Sequence, residues 1–90
     1  DDCANAVAIN EVTDLVYSTT IATASGVNPG CGGGTDPVDI WFAYTATQSG
    51  LASFDLCGSG YDSRLAIYNA CGGSVLACND DNGPACSGQN

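Results

Sequence analysis

Two kinds of side chain in this 90-residue sequence can do chemistry: ten carboxylates and six thiols. Several carboxylates come in pairs, Asp1 with Asp2, Asp36 with Asp39, and Asp80 with Asp81. Calcium takes about six to eight oxygens from carboxylates, carbonyls and waters, and loops at one end of a β-sandwich can supply them. The competing role for Asp is to close turns and keep the surface soluble. The run Cys78-Asn79-Asp80-Asp81-Asn82-Gly83 imitates an EF-hand loop but fails its spacing. With Gly83 at the sixth position, the first ligand is Cys78 and the twelfth Gln89. Gly32-Gly33-Gly34-Thr35-Asp36 likewise fails the glycine–aspartate calcium repeat, because Thr35 stands where glycine is required. Asn79-Asp80-Asp81 fits an Asx-type turn better than an ion site. Asp55 and Asp62 are a carboxylate pair of the kind glycoside hydrolases use. A chain of 90 residues leaves little room for a sugar cleft, and no neighbour tunes one of them as an acid. The chain is therefore expected not to be an enzyme.

The thiols are Cys3, Cys31, Cys57, Cys71, Cys78 and Cys86. Their number is even, the closest pair is seven residues apart, and there is no histidine. A zinc site of four thiolates wants tighter pairs, so disulfides and an oxidising compartment are expected. Six cysteines allow about 15 connectivities. Cys3–Cys31 would tie the N-terminal segment to a Gly-rich loop, and Cys78–Cys86 would close a short loop around Asn79-Asp80-Asp81. The rest of the pairing is open.

The charge balance excludes whole classes of function. Arg64 is the single basic side chain, and the net charge is -9. Such a chain cannot displace counterions from nucleic-acid phosphates, and an anionic membrane surface repels it. Without histidine, neither a Ser-His-Asp triad nor a Cys-His pair exists. No apolar run reaches the roughly 20 residues needed for membrane insertion. Asp1 reads as a processed or excised start, with no signal peptide before it. At 44% hydrophobic residues the chain is too apolar for a disordered acidic tail. Acidic, lysine-free and rich in cysteine, it is expected to be secreted or at the cell surface. Among the aromatics, Trp41 is the candidate contact residue, for a sugar or a neighbouring protomer. The competing reading, that it fills a gap under the loop from Gly26 to Pro37, is the stronger one.

The elements that must position these groups follow a period of two. Val38 to Ala46 places Val38, Ile40, Phe42, Tyr44 and Ala46 on one face, and is the strongest strand. Gln48-Ser49-Gly50 reads as a tight turn into a second strand, Leu51 to Cys57, making a hairpin. Arg64 to Asn69 and Ser74 to Cys78 form another pair across Cys71-Gly72-Gly73. Leu15 to Thr23 alternates and is rich in β-branched residues, so it is expected as a strand. Ala4 to Val12 is ambiguous between a helical turn and a strand. Cys57 to Ser63 is a loop, Gly26 to Pro37 a long Gly-rich one, and Asn79 to Asn90 turn chemistry throughout. Five or six short strands split by glycine-rich turns point to an all-β sandwich.

Four blocks carry a family resemblance: Asp1-Asp2-Cys3-Ala4-Asn5-Ala6; Asp39 to Ala46; Cys57-Gly58-Ser59-Gly60-Tyr61-Asp62-Ser63-Arg64-Leu65-Ala66-Ile67-Tyr68; and Leu76-Ala77-Cys78-Asn79-Asp80-Asp81. Their order and spacing resemble the bacterial pre-peptidase C-terminal (PPC-like) domain, a secreted jelly-roll β-sandwich appended to extracellular proteases and other surface proteins. The resemblance covers nearly the whole chain and implies a single domain over residues 1–90. It also implies calcium at Asp36 and Asp39, with Asp1 and Asp2 nearby, and less strongly at Asp80 and Asp81. Members of that family continue past the Asn-Asp-Asp block with further strands, and this sequence does not. The expected fold is therefore an all-β, disulfide-stapled antiparallel β-sandwich of jelly-roll type. It would be incomplete, closed either by strands outside these residues or by a strand from a neighbouring chain.

Two functions compete. The first is a non-catalytic extracellular structural module, the repeating subunit of a secreted fibril or surface layer. Copies of itself would be its partners, joined head to tail by strand complementation. The second is a calcium-dependent accessory module of a larger secreted enzyme, binding polysaccharide or matrix protein. The absence of a strand pattern after Cys78 favours the first.

Overall fold

A computed structural model describes residues 1–32 and 38–81. The described residues gather into two compact units, one from residues 1–27 and 38–51, the other from residues 28–32 and 52–81. Among the described residues, regular structure is all-β apart from a 3-10 turn at Cys3–Asn5.

In the first unit, β1 (Val7–Ile9) pairs with β2 (Phe42–Tyr44). The pairing is parallel, with Val7 opposite Phe42 and Ile9 opposite Tyr44. Two flanking bonds extend the ladder: Val7 N–H donates to the Trp41 carbonyl (2.9 Å), and Thr45 N–H to the Ile9 carbonyl (2.9 Å). The ambiguous segment Ala4 to Val12 thus resolves into a strand at its centre. The Tyr17 ring meets Phe42 edge-on, centroids 5.0 Å apart.

The hairpin expected between Val38–Ala46 and Leu51–Cys57 does not form; β2 takes β1 as its partner instead. Local hydrogen bonds compete with a ladder in Leu51 to Cys57. Asp55 accepts the Cys57 N–H (3.1 Å), and the Leu56 carbonyl accepts both the N–H and the hydroxyl of Ser59. Leu51, at the head of that expected strand, is fully exposed. The strand expected over Leu15 to Thr23 fails for the same reason. Ser18 Oγ accepts the Thr20 N–H (3.2 Å), and Ala22 N–H closes a turn on the Thr19 carbonyl (3.0 Å). The Ser18 hydroxyl thus binds nearby backbone that a strand would offer to a partner.

In the second unit, β3 (Leu65–Tyr68) and β4 (Val75–Asn79) form the expected antiparallel pair. Leu65 faces Asn79 and Ala66 faces Cys78, with an irregularity between Ile67 and Tyr68. The turn is held by Asn69, whose Oδ1 accepts the Ser74 N–H (2.8 Å) while its own N–H reaches the Ser74 carbonyl (3.1 Å). Gly72 supplies the left-handed φ of 74° that the turn needs. Antiparallel pairing therefore holds for β3–β4, and the β1–β2 pair departs from it.

Cys31 is bonded to Cys78 across 47 residues, with Cα atoms 5.9 Å apart, inside the range a disulfide spans. This corrects both expected pairings, Cys3–Cys31 and Cys78–Cys86, since each used one of these two sulfurs. Cys3, Cys57 and Cys71 are also disulfide-bonded; Cys86 lies outside the described residues. The covalent tie matters because no hydrophobic side chain among the described residues is fully buried. Phe42 and Tyr44 of β2 and Leu65, Ile67 and Tyr68 of β3 are half-buried.

Candidate functional site

The β3–β4 register decides which carboxylates meet. With Leu65 opposite Asn79, residues just before β3 and just after β4 emerge at one end of the pair. Asp62 arrives there from the first side, Asp80 and Asp81 from the second. One carboxylate oxygen from each lies within 4.8 Å of the others, and among the described residues this is the group of three able to hold a metal ion. Asp80 is half-buried, and Asp62 and Asp81 are exposed. Three negative charges this close repel by about 1 kcal/mol per pair even in water, and more near low-dielectric protein. A hard divalent cation relieves that repulsion.

Asp80 is held from behind. Gly32 follows Cys31, which the disulfide ties to β4 at Cys78. Gly32 has a left-handed φ of 73°, and a Cβ on it would lie 2.8 Å from Asp80 Cγ and 2.9 Å from Arg64 Nε. The backbone thus passes directly against both side chains. The chain's only basic side chain, Arg64, stands on the strand side of the acidic group with a buried Nε.

The other candidate carboxylates are placed differently. Asp39 and Asp1 do come together in the first unit. The Asp1 ammonium pairs with Asp39 Oδ1 (2.8 Å), and Ser25 Oγ donates to Asp39 Oδ2. Burial pushes the Asp39 carboxyl up, but hydrogen bonds from the ammonium and from Ser25 outweigh it and hold it below the ordinary value. Asp1 Oδ1 accepts from the Thr23 N–H (3.3 Å). Asp2 is exposed at the start of the 3-10 turn and makes no side-chain cap. Asp36 lies outside the described residues. Trp41 is half-buried beside β2.

Glu11 was not singled out by its sequence context, yet it is the most engaged carboxylate of the first unit. Its Oε1 accepts the Thr47 N–H (3.1 Å) and the Tyr44 hydroxyl (3.0 Å), and its Oε2 accepts the Thr47 hydroxyl (2.8 Å). The bond from the Thr47 amide, its own amide and the Thr47 hydroxyl lower its pKa to about 2. The bond to Glu11 in turn raises the Tyr44 phenol. Glu11 clasps the segment after β1 to the segment after β2. Asp62 could have been found from the sequence by placing both ends of the β3–β4 hairpin in register; Glu11 could not, because its partner strand was misassigned.

The comparisons with known proteins agree with an all-β module. A family model described as galactose binding domain-like, and T9SS-associated, matches residues 1–87. No curated protein and no solved structure matches the chain. The match bears out the coarser part of the expected fold, an all-β module of β-sandwich type. Domains of this kind are typically binding modules rather than catalysts, and the T9SS association points to a secreted or cell-surface protein. No helix among the described residues is long and apolar enough to cross a membrane. With nearly the whole sequence matched, the chain belongs to the T9SS-associated, galactose binding domain-like family.

Proposed function

We propose that this chain is a non-catalytic binding module that holds calcium where β3 begins and β4 ends. The observation that carries the reading is the convergence of Asp62, Asp80 and Asp81 from two sides of one strand pair. Three carboxylates supply part of the oxygen shell calcium needs, and carbonyls and water supply the rest. Bound there, the ion would fix the approach to β3 against the exit from β4, shaping loops for a polysaccharide or a matrix protein. The blocks that resemble the PPC-like domain are consistent with an accessory role beside a larger secreted enzyme.

Isothermal titration of calcium into the oxidised chain tests the reading. The expected dissociation constant is on the order of 0.1 to 1 mM, as for other extracellular modules. Replacing both Asp80 and Asp81 by Asn should abolish the heat. No binding at several millimolar calcium, or unchanged binding in that double variant, would sink it.

A second reading is a subunit that completes its sheets with a strand from another copy. It is favoured by the two-strand sheets, and by Val16, Ile21 and Leu51, apolar side chains left almost wholly exposed. Negative-stain microscopy with calcium and with chelator separates the two. Regular filaments support self-assembly, and dispersed folded particles remove it.

A further inference from the structure

In the first unit the chain leaving β1 folds beside it and encloses an apolar groove of about 520 Å³, open to solvent. Val7 and Ile9 of β1 line it together with Val12, Leu15 and Tyr17. Val12, Leu15 and Tyr17 are 50%, 47% and 45% exposed, so roughly half of each side chain faces open space. Asp14 lies between two of these lining residues and has a left-handed φ of 55°, a conformation unusual for any residue but glycine and tolerated best by Asn and Asp. Glu11 stands between Asn10 and Val12, both on the groove wall. Its hydrogen bonds come from neutral donors, Thr47 and Tyr44, so its negative charge is fixed without being neutralised. The described part of this unit carries five carboxylates, Asp1, Asp2, Glu11, Asp14 and Asp39, and no basic side chain.

An apolar floor beside uncompensated anions states what would fill it. We propose that this groove docks an extended segment of a partner protein in which basic and apolar residues alternate. In an extended chain successive side chains point to opposite sides, so apolar ones can enter the groove while the long stems of lysines or arginines bend back toward Glu11 and Asp14, which neighbour the lining residues in sequence. A second copy does not fit: its net charge of -9 repels this surface, and its only basic side chain belongs to the other unit. The proposal is independent of calcium at Asp62, Asp80 and Asp81.

Fluorescence anisotropy with three labelled seven-residue probes tests it on the oxidised chain at physiological salt. One probe alternates lysine and valine, one glutamate and valine, and one lysine and serine. The lysine–valine probe should bind at least about tenfold more tightly than either of the others, since only it offers both the apolar burial and the charge. Leu15→Ser should weaken it about tenfold. Asp14→Asn keeps the left-handed backbone and should weaken it roughly threefold. Chelator should change neither value, so failure here and failure at the calcium site are distinguishable. Equal binding of the lysine–serine probe would reduce the effect to attraction by an acidic protein and overturn the proposal. So would a dimer in sedimentation that Leu15→Ser dissolves, because the groove would then belong to a second copy. Should Leu15→Ser fail to fold, Asp14→Asn decides alone: undiminished binding overturns it.

Discussion

Glu11 is the chain's only glutamate, so its carboxyl carbon gives one isolated signal in a ¹³C spectrum. Its pKa is lowered from 4.5 to about 2, so the folded state favours the ionised form. The stabilisation is therefore complete above about pH 4.5 and disappears as the pH falls through about 2. The ¹³C titration of Glu11 should have its midpoint near 2; a midpoint near 4.5 would mean the clasp is absent in solution. Glu11→Gln should bring the Tyr44 phenol back down towards its ordinary value, which alkaline ultraviolet titration reads. Gly32 makes a second prediction at this scale. Alanine there must adopt a left-handed φ and place its methyl against Asp80 and Arg64. Gly32→Ala should cost about 2 kcal/mol, lowering the melting temperature of a chain this size by roughly 10 °C. Calcium affinity at Asp80 should fall with it. Unchanged melting would show that the loop gives way freely.

At the scale of elements, legibility followed how local the decisive contacts are. The β3–β4 pair was readable because its turn chemistry lies between the strands: Asn69, Gly72 and Gly73 close the chain on itself, and alternation of Leu65 and Ile67 marks the inward face. The β1–β2 pair was not, because parallel partners need a long crossover and no turn announces it. Ser18 and Asp55 misled in the same way. Each lies in a segment that alternates like a strand, and each uses its side chain on nearby backbone instead. Of the candidate site, Asp80 and Asp81 were visible as a pair, whereas Asp62 and Gly32 required the hairpin register and the disulfide. The disulfide was unreadable for a related reason, since spacing says nothing about which sulfurs meet in space. Its weight can be measured. Closing a loop of 47 residues restricts the unfolded chain by about 4 kcal/mol on the chain-entropy account. Replacing Cys31 and Cys78 together by Ser should lower the melting temperature by roughly 20 °C. A change under about 5 °C would mean that side-chain packing, not the crosslink, holds the second unit.

At the scale of the whole molecule, charge governs what the chain can meet. A net charge of -9 with a single arginine leaves like copies repelling one another at neutral pH, most strongly at low salt, where the screening length is long. The exposed apolar side chains act in the opposite sense, since burying them favours association. Which effect wins depends on how much charge remains. Near the sequence pI of about 4.1 the repulsion vanishes and only the apolar contacts are left. Divalent cations weaken the repulsion at neutral pH without removing the carboxylates' charge. Sedimentation velocity should therefore find monomers at pH 7 in low salt with chelator, and larger species as the pH approaches 4 or as millimolar calcium is added. Calcium-induced growth that is lost on replacing Asp80 and Asp81 by Asn would assign the junction between copies to the carboxylate end of β3–β4. Growth that survives the replacement would assign it to general screening. Assembly at pH 7 in chelator and low salt would show that apolar contact outweighs nine negative charges. A self-complementing strand would then be the stronger explanation of the open sheets.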